Sequence, residues 1–203
     1  MHRAFGHIND RAVIAALRAQ GAPVPLDLAR AGASAFCESC IFAKSHRAPK
    51  APQSQPPSHP AITFGDRVHC DTKGPFAIPD IHGRRFAMGF IDEATGRSDV
   101  FFMHAKTDAV NARRQWESNT KHIGPTKRYR ADNGSEFIDR KFHDDIIAVG
   151  SSIEFTAPYT HHPLLMERLW RTTVTLARAN LKGANMPKCF WSYALSAAFF
   201  CRH

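Results

Sequence analysis

Five of the thirteen prolines in this chain of 203 residues fall between positions 49 and 60, where Gln and Ser separate them. Proline lacks a backbone N–H and fixes its own φ, so a segment this rich in proline is typical of a semi-extended linker. We therefore predict a linker at 49–60 that separates a small amino-terminal domain, 1–48, from a larger domain, 61–203.

The amino-terminal domain has few large apolar side chains, and one helix is predicted over 10–20 from apolar residues at helical spacing. Domains this small usually need a staple such as a metal ion. Four residues separate His2 from His7, and two separate Cys37 from Cys40. Two imidazoles and two thiolates form a closed tetrahedral set that suits a structural Zn²⁺. The alternative is two chance surface histidines and a chance cysteine pair.

The larger domain alternates between strand and helix patterns. Its apolar patterns predict strands over 66–71, 86–92, 98–104, 127–131 and 152–157, and helices over 107–122, 137–149, 167–183 and 189–203. Three strands in succession indicate a meander, and the later strands are interleaved with helices. We therefore predict an α/β fold, in which helices flank a mixed five-stranded sheet.

Three acidic residues stand where this order of elements would let them meet. Asp71 closes the first predicted strand, Asp132 follows the fourth, and Glu167 opens a long helix. Carboxylates that converge repel one another unless cations lie between them, and hard oxygen ligands select Mg²⁺ or Mn²⁺. Two such ions catalyse phosphoryl transfer in two-metal enzymes. The alternative is that each residue is an ordinary turn or helix-capping residue.

Charge indicates the partner. Lys and Arg number 27 against 18 for Asp and Glu, a net charge of +9, which is typical of proteins that bind polyanions. Four cations on the helix of Glu167 fall within about 80° of one another at helical spacing, which predicts contacts to nucleic-acid phosphates. They are Arg168, Arg171, Arg178 and Lys182. A solvated helix face is the plainer alternative.

Several runs together resemble the integrases of Ty1/copia-type retrotransposons. They are His2-Arg-Ala-Phe-Gly-His7, Cys37-Glu-Ser-Cys40, His69-Cys-Asp71-Thr-Lys-Gly-Pro-Phe76, Arg130-Ala-Asp132-Asn-Gly-Ser-Glu136-Phe137, Thr156-Ala-Pro-Tyr-Thr160, Glu167-Arg168 and Pro187-Lys-Cys-Phe-Trp191. The resemblance covers nearly the whole chain and implies an HHCC zinc domain of the GAG-pre-integrase kind, followed by a ribonuclease H-like catalytic core. We expect the chain to be a fragment of a Pol polyprotein whose core is truncated at its carboxy terminus.

The resemblance also implies an activity and its site. It implies 3'-end processing of DNA and strand transfer to a target, with Zn²⁺ at His2, His7, Cys37 and Cys40. The Mg²⁺ or Mn²⁺ ions would be held by Asp71, Asp132 and Glu167. We further expect a homo-oligomer in the intact protein, and an intracellular location in the nucleus or a cytoplasmic virus-like particle. No apolar run is long enough to cross a membrane.

The chain departs from the family between Thr160 and Glu167. Family members carry a polar loop like Pro-Gln-Gln-Asn-Gly there, whereas this chain has His161-His-Pro-Leu-Leu-Met166 and is one residue shorter. Our hypothesis for this change is a pair of compensating frameshifts in the gene, and finding no alternative reading frame at the locus that restores Asn-Gly would exclude it. Two other functions stay open: a catalytically inactive zinc-containing nucleic-acid-binding relic, and a ribonuclease H-like nuclease.

Overall fold

A computed structural model describes residues 10–26, 37–40, 61–132, 134–155 and 165–202. The chain forms two compact units. The sheet unit is Lys50–Arg171, and the second unit combines the residues up to Pro49 with Thr172–Arg202. The predicted linker at 49–60 lies outside the described residues, and the predicted domain boundaries remain predictions.

A mixed five-stranded sheet forms the centre of the sheet unit and confirms the predicted fold class. The strand order is β3-β2-β1-β4-β5. The first three strands pair antiparallel as the predicted meander, and β4 and β5 continue the sheet in parallel from β1. The strands are β1 Val68–Lys73, β2 Phe86–Asp92, β3 Ser98–Met103, β4 Arg128–Ala131 and β5 Ser152–Phe155.

Three helices of the sheet unit contribute to one buried core with the sheet. They are α2 Ala109–Thr120, α3 Ser135–Ile138 and α4 Arg140–Ala148. Alternate strand residues supply the sheet side of this core, as expected where every second side chain points to the same face. Phe90 of β2 stacks on Trp116 of α2 with ring centroids 5.4 Å apart. Burial of these large rings fixes the sheet and therefore the ends of its strands.

Strand β1 starts two residues later than the sequence predicts. The carboxylate of Asp66 accepts hydrogen bonds from the backbone N–H groups of Ile62 and Thr63, at 3.0 and 2.8 Å. This turn occupies Asp66, and pairing with β2 begins at Val68. The strand also continues to Lys73, two residues beyond its predicted end, so Asp71 lies inside the strand rather than at its end.

The remaining helices are α1 Asp10–Ala19, α5 Leu165–Gly183 and α6 Trp191–Phe200. Helix α5 begins in the sheet unit, and its residues from Thr172 onward belong to the second unit. It starts two residues before the predicted position, so Glu167 lies within its first turn. Among the described residues no helix is both long and apolar enough to span a bilayer.

Candidate active site

Asp71 and Asp132 are brought together by the parallel pairing of two strands. Asp71 lies in β1, and Asp132 directly follows β4. The register of these strands pairs His69 with Arg130. Continued by two residues, that register sets Asp71 beside Asp132 on the same face of the sheet.

The electrostatics of Asp71 reflect this proximity. Burial and, second, the negative charge of Asp132 raise the pKa of Asp71 to about 6. Burial and the charges of the same two carboxylates also raise the pKa of the neighbouring Cys70 thiol well above its ordinary value. Two carboxylates therefore share a partly desolvated site, where a bound cation would relieve their repulsion.

A third carboxylate, Glu136, belongs to the same neighbourhood. The backbone N–H of Gly134 donates to Asp132 Oδ1 at 2.9 Å. A Cβ atom on Gly134 would meet Asp132 Oδ1 at 2.9 Å and Glu136 Oε2 at 3.1 Å. Both carboxylates therefore border the space beside the Gly134 Cα. Glu136 in turn accepts hydrogen bonds from Lys106 Nζ, at 2.9 and 3.2 Å.

The sequence reasoning assigned no role to Glu136 or Lys106. Glu136 lies four residues after Asp132, within a run that carries the family resemblance, and that proximity is the only sequence signal that pointed to it. Lys106 lies thirty residues before Glu136, and no spacing rule joins the two. The contact depends on the turn after β3 reaching the start of α3.

Glu167 lies on a helix that packs over the strand beside Asp71. Gly89 of β2 pairs with Asp71 across the sheet. A Cβ atom on Gly89 would lie 2.7 Å from Met166 Cε and 2.9 Å from Trp170 Cζ2. Since residues paired across strands point to the same face, the first two turns of α5 cover the face that carries Asp71.

The carboxylate of Glu167 is paired with a basic side chain rather than with another acid. It lies 3.6 Å from a guanidinium nitrogen of Arg171, and its side chain is 64% exposed. Within the ranges that the structure describes, no three His, Cys, Asp or Glu side chains form a group that could hold a metal ion. The structure thus sets Asp71 beside Asp132, and the convergence of all three acids stays a prediction.

The four predicted phosphate contacts all lie on the exposed side of α5. The buried side of the helix includes Leu169, Trp170 and Leu176, at 0%, 3% and 5% exposure. This division agrees with the predicted amphipathic pattern. The exposed cations are Arg168, Arg171, Arg178 and Lys182.

The predicted zinc ligands fall only partly within the described residues. Cys37 is buried and Cys40 is half-buried. His2 and His7 lie outside the described residues, as do positions 161–164 of the altered loop. Met166, the last residue of that loop, is 1% exposed and packs on the sheet, so it adds no apolar surface at the site.

Two plant retrotransposon proteins are similar to this chain. It is 28% identical over 202 residues to the retrovirus-related Pol polyprotein from transposon TNT 1-94 of Nicotiana tabacum, covering 98% of the chain. It is 26% identical over 167 residues to the Pol polyprotein from transposon RE2 of Arabidopsis thaliana, covering 81%. The chain spans only 15% and 11% of the length of these relatives. No family model matches the chain.

Solved structures decide the fold. The HTLV-2 integrase catalytic core domain in complex with magnesium superimposes with a TM-score of 0.52 at 14% identity, covering 68% of this chain and 85% of that one. The fold is that of an integrase catalytic core. An integrase assembly of simian T-cell lymphotropic virus, an intasome with a PP2A regulatory subunit, matches with a TM-score of 0.57 at 18% identity. That match covers 98% of this chain and 66% of the viral chain. The resemblance predicted from the sequence is confirmed.

Proposed function

We propose that this integrase-like chain is the integrase segment of a retrotransposon Pol polyprotein, which processes DNA 3' ends and transfers them to target DNA. The observation that supports this most directly is the pair Asp71 and Asp132, set side by side on an integrase fold. A purely structural role would favour a neutral or oppositely charged neighbour for Asp71. Two like charges in a partly buried place are instead typical of a site built for cations.

The residues at this site fit divalent metal ions. The available donors are hard carboxylate oxygens, and the mutual repulsion that raises the pKa of Asp71 is what a cation would offset. Asp71, Asp132 and Glu167 would hold two Mg²⁺ or Mn²⁺ ions. When bound, such ions activate an attacking hydroxyl and stabilise the charge on the leaving oxygen.

The other residues of the chain would position the DNA. The exposed cations of α5 (Arg168, Arg171, Arg178 and Lys182) would contact phosphates next to Glu167, and contacts of this kind carry affinity without sequence preference. We extend the proposal to a homo-oligomer in the intact protein, located in the nucleus or in a cytoplasmic virus-like particle. Cys37 and Cys40, with His2 and His7, would hold a structural Zn²⁺.

One observation favours the alternative of an inactive nucleic-acid-binding relic. Glu167, the third acid of the proposed triad, is exposed and paired with Arg171 rather than with another acid. A helix start that no longer turns its carboxylate toward Asp71 would leave DNA binding intact and remove turnover.

A strand-transfer assay separates these functions. The purified chain is incubated with Mn²⁺, a labelled blunt DNA end and a target plasmid. The integrase proposal predicts joined product that Asp132→Asn abolishes, with DNA binding retained. Binding without any product would support the relic. Cleaved DNA without joined product would support a nuclease, since hydrolysis and strand transfer differ in which hydroxyl attacks.

A further inference from the structure

Glu136 is an almost fully buried carboxylate beside the candidate active site. Its side chain is 3% exposed, while that of Lys106 is 44% exposed. Lys106 Nζ contacts both oxygens of Glu136, at 2.9 and 3.2 Å. A buried carboxylate is costly unless it is paired and hydrogen-bonded, and Lys106 meets that requirement.

The turn that carries Lys106 is stabilised by hydrogen bonds of its own. Lys106 begins a short 3-10 helix that ends at Asp108. The carboxylate of Asp108 accepts hydrogen bonds from the backbone N–H groups of His104 and Ala105, each at 3.1 Å. These hydrogen bonds stabilise the turn, and the Lys106 side chain extends from it to Glu136.

Glu136 and Asp132 approach the same small space. Their Oε2 and Oδ1 atoms both lie about 3 Å from the point where a Cβ of Gly134 would stand, so these two oxygens are at most about 6 Å apart. The negative charge of Glu136 also acts on Asp71. The site thus contains three carboxylates, and Lys106 is bonded to Glu136 alone among them.

We propose that Lys106 and Glu136 are a positioning pair for the candidate active site, in which Lys106 neutralises Glu136 and holds it beside Asp132 and Gly134. This inference rests on the proposed function. The pair keeps Glu136 out of the metal ligands, and Asp71 and Asp132 are then the two sheet carboxylates that face the ions. Neither Lys106 nor Glu136 touches substrate or metal in this arrangement.

Replacing Lys106 and replacing Glu136 should change the Mn²⁺ affinity in opposite directions. Lys106→Met leaves a third negative charge in the site, so Mn²⁺ should bind more tightly by about fivefold or more. Glu136→Gln leaves an uncompensated ammonium beside Asp132, and Mn²⁺ should bind more weakly by about the same factor. The double variant restores the original net charge and should bind within about twofold of wild type.

The experiment titrates the chain with Mn²⁺ and follows the free ion by electron paramagnetic resonance, with circular dichroism to verify folding. Lys127→Met is the matched control, since it breaks an ion pair of 2.7 Å with Asp66 elsewhere in the sheet unit. It should leave Mn²⁺ affinity unchanged. Lys106→Arg keeps the charge and should bind like wild type, and the weaker binding expected of Glu136→Gln preserves the test if Lys106→Met does not fold.

Two results would overturn the inference. One is an unchanged Mn²⁺ affinity in both single variants, while Asp132→Asn abolishes binding; the proposed function would then survive without the pair. The other is a loss of affinity in both single variants that the double variant does not recover, which would indicate a structural contact only. Wild-type chain that binds no Mn²⁺ at all would instead refute the proposed function, and the inference with it.

Discussion

Removing the charge of Asp71 should stabilise the metal-free chain at neutral pH. Its carboxyl has a pKa of about 6 in the folded chain against a reference value of 3.8. A raised pKa means that the folded state binds the proton more tightly, so this contribution to stability is present below pH 3.8 and is lost as pH rises through about 6. At pH 7 the ionised carboxylate therefore costs about 2 to 3 kcal/mol. Asp71→Asn should therefore raise the free energy of unfolding at pH 7 by most of this amount.

Urea unfolding in EDTA at pH 7 and at pH 4 measures the effect. The asparagine variant should gain about 2 to 3 kcal/mol at pH 7, or roughly 5 to 10 °C in Tm, and less than about 1 kcal/mol at pH 4. Added Mn²⁺ should stabilise wild type and not the variant. Asp66→Asn is a control of opposite sign, because the hydrogen bond from Lys127 lowers the pKa of Asp66. An Asp71→Asn variant that is less stable than wild type at pH 7, or equally shifted at both pH values, would refute this reasoning.

Two further predictions concern stability and DNA binding. The carboxylate of Asp145 accepts a hydrogen bond of 2.7 Å from the buried Arg113. Asp145→Asn should therefore lower the free energy of unfolding by about 2 to 4 kcal/mol. The control Asp144→Asn, at an exposed neighbouring position, should change it by less than about 0.5 kcal/mol. Equal losses in the two urea titrations would contradict this. Lys182→Glu should weaken DNA binding and reduce the salt slope by about one to two. Lys121→Glu, an equal charge change directly after α2, should do neither in a fluorescence anisotropy titration.

The fold could be predicted from the sequence because its signals are local and repeated. Alternating apolar residues and the turns between them located all five strands, and the meander followed from their order. The first and last residues of the strands were predicted less accurately. The predicted strand β1 begins two residues early, because the sequence pattern does not show that the carboxylate of Asp66 closes a turn with Ile62 and Thr63.

The site could be predicted only in part, and the reason is physical. Asp71 within β1 and Asp132 directly after β4 lie together because these two strands are adjacent and parallel, an arrangement that the order of elements permits. Lys106 and Glu136 meet through a contact between the 3-10 turn after β3 and the start of α3, thirty residues apart in sequence. Such a contact follows from the packed fold rather than from residue spacing. The neighbour of Glu167 depends on a side-chain conformation that helical periodicity does not specify.

The face of β1 that carries Asp71 provides a further argument for the proposed cation site. Arg67 and His69 lie on the same face, and both bond to Glu93, at 3.2 and 2.8 Å. An acid that directly follows β2 thus partners the basic side chains at the start of β1. At Asp71 the same strand meets Gly89 on one side and a second acid, Asp132, on the other. A chain selected only for stability would continue the compensation, since like charges in a desolvated place are costly. The like-charge pair at this position, on the face covered by the helix of Glu167, is the observation from which we propose a site for divalent cations.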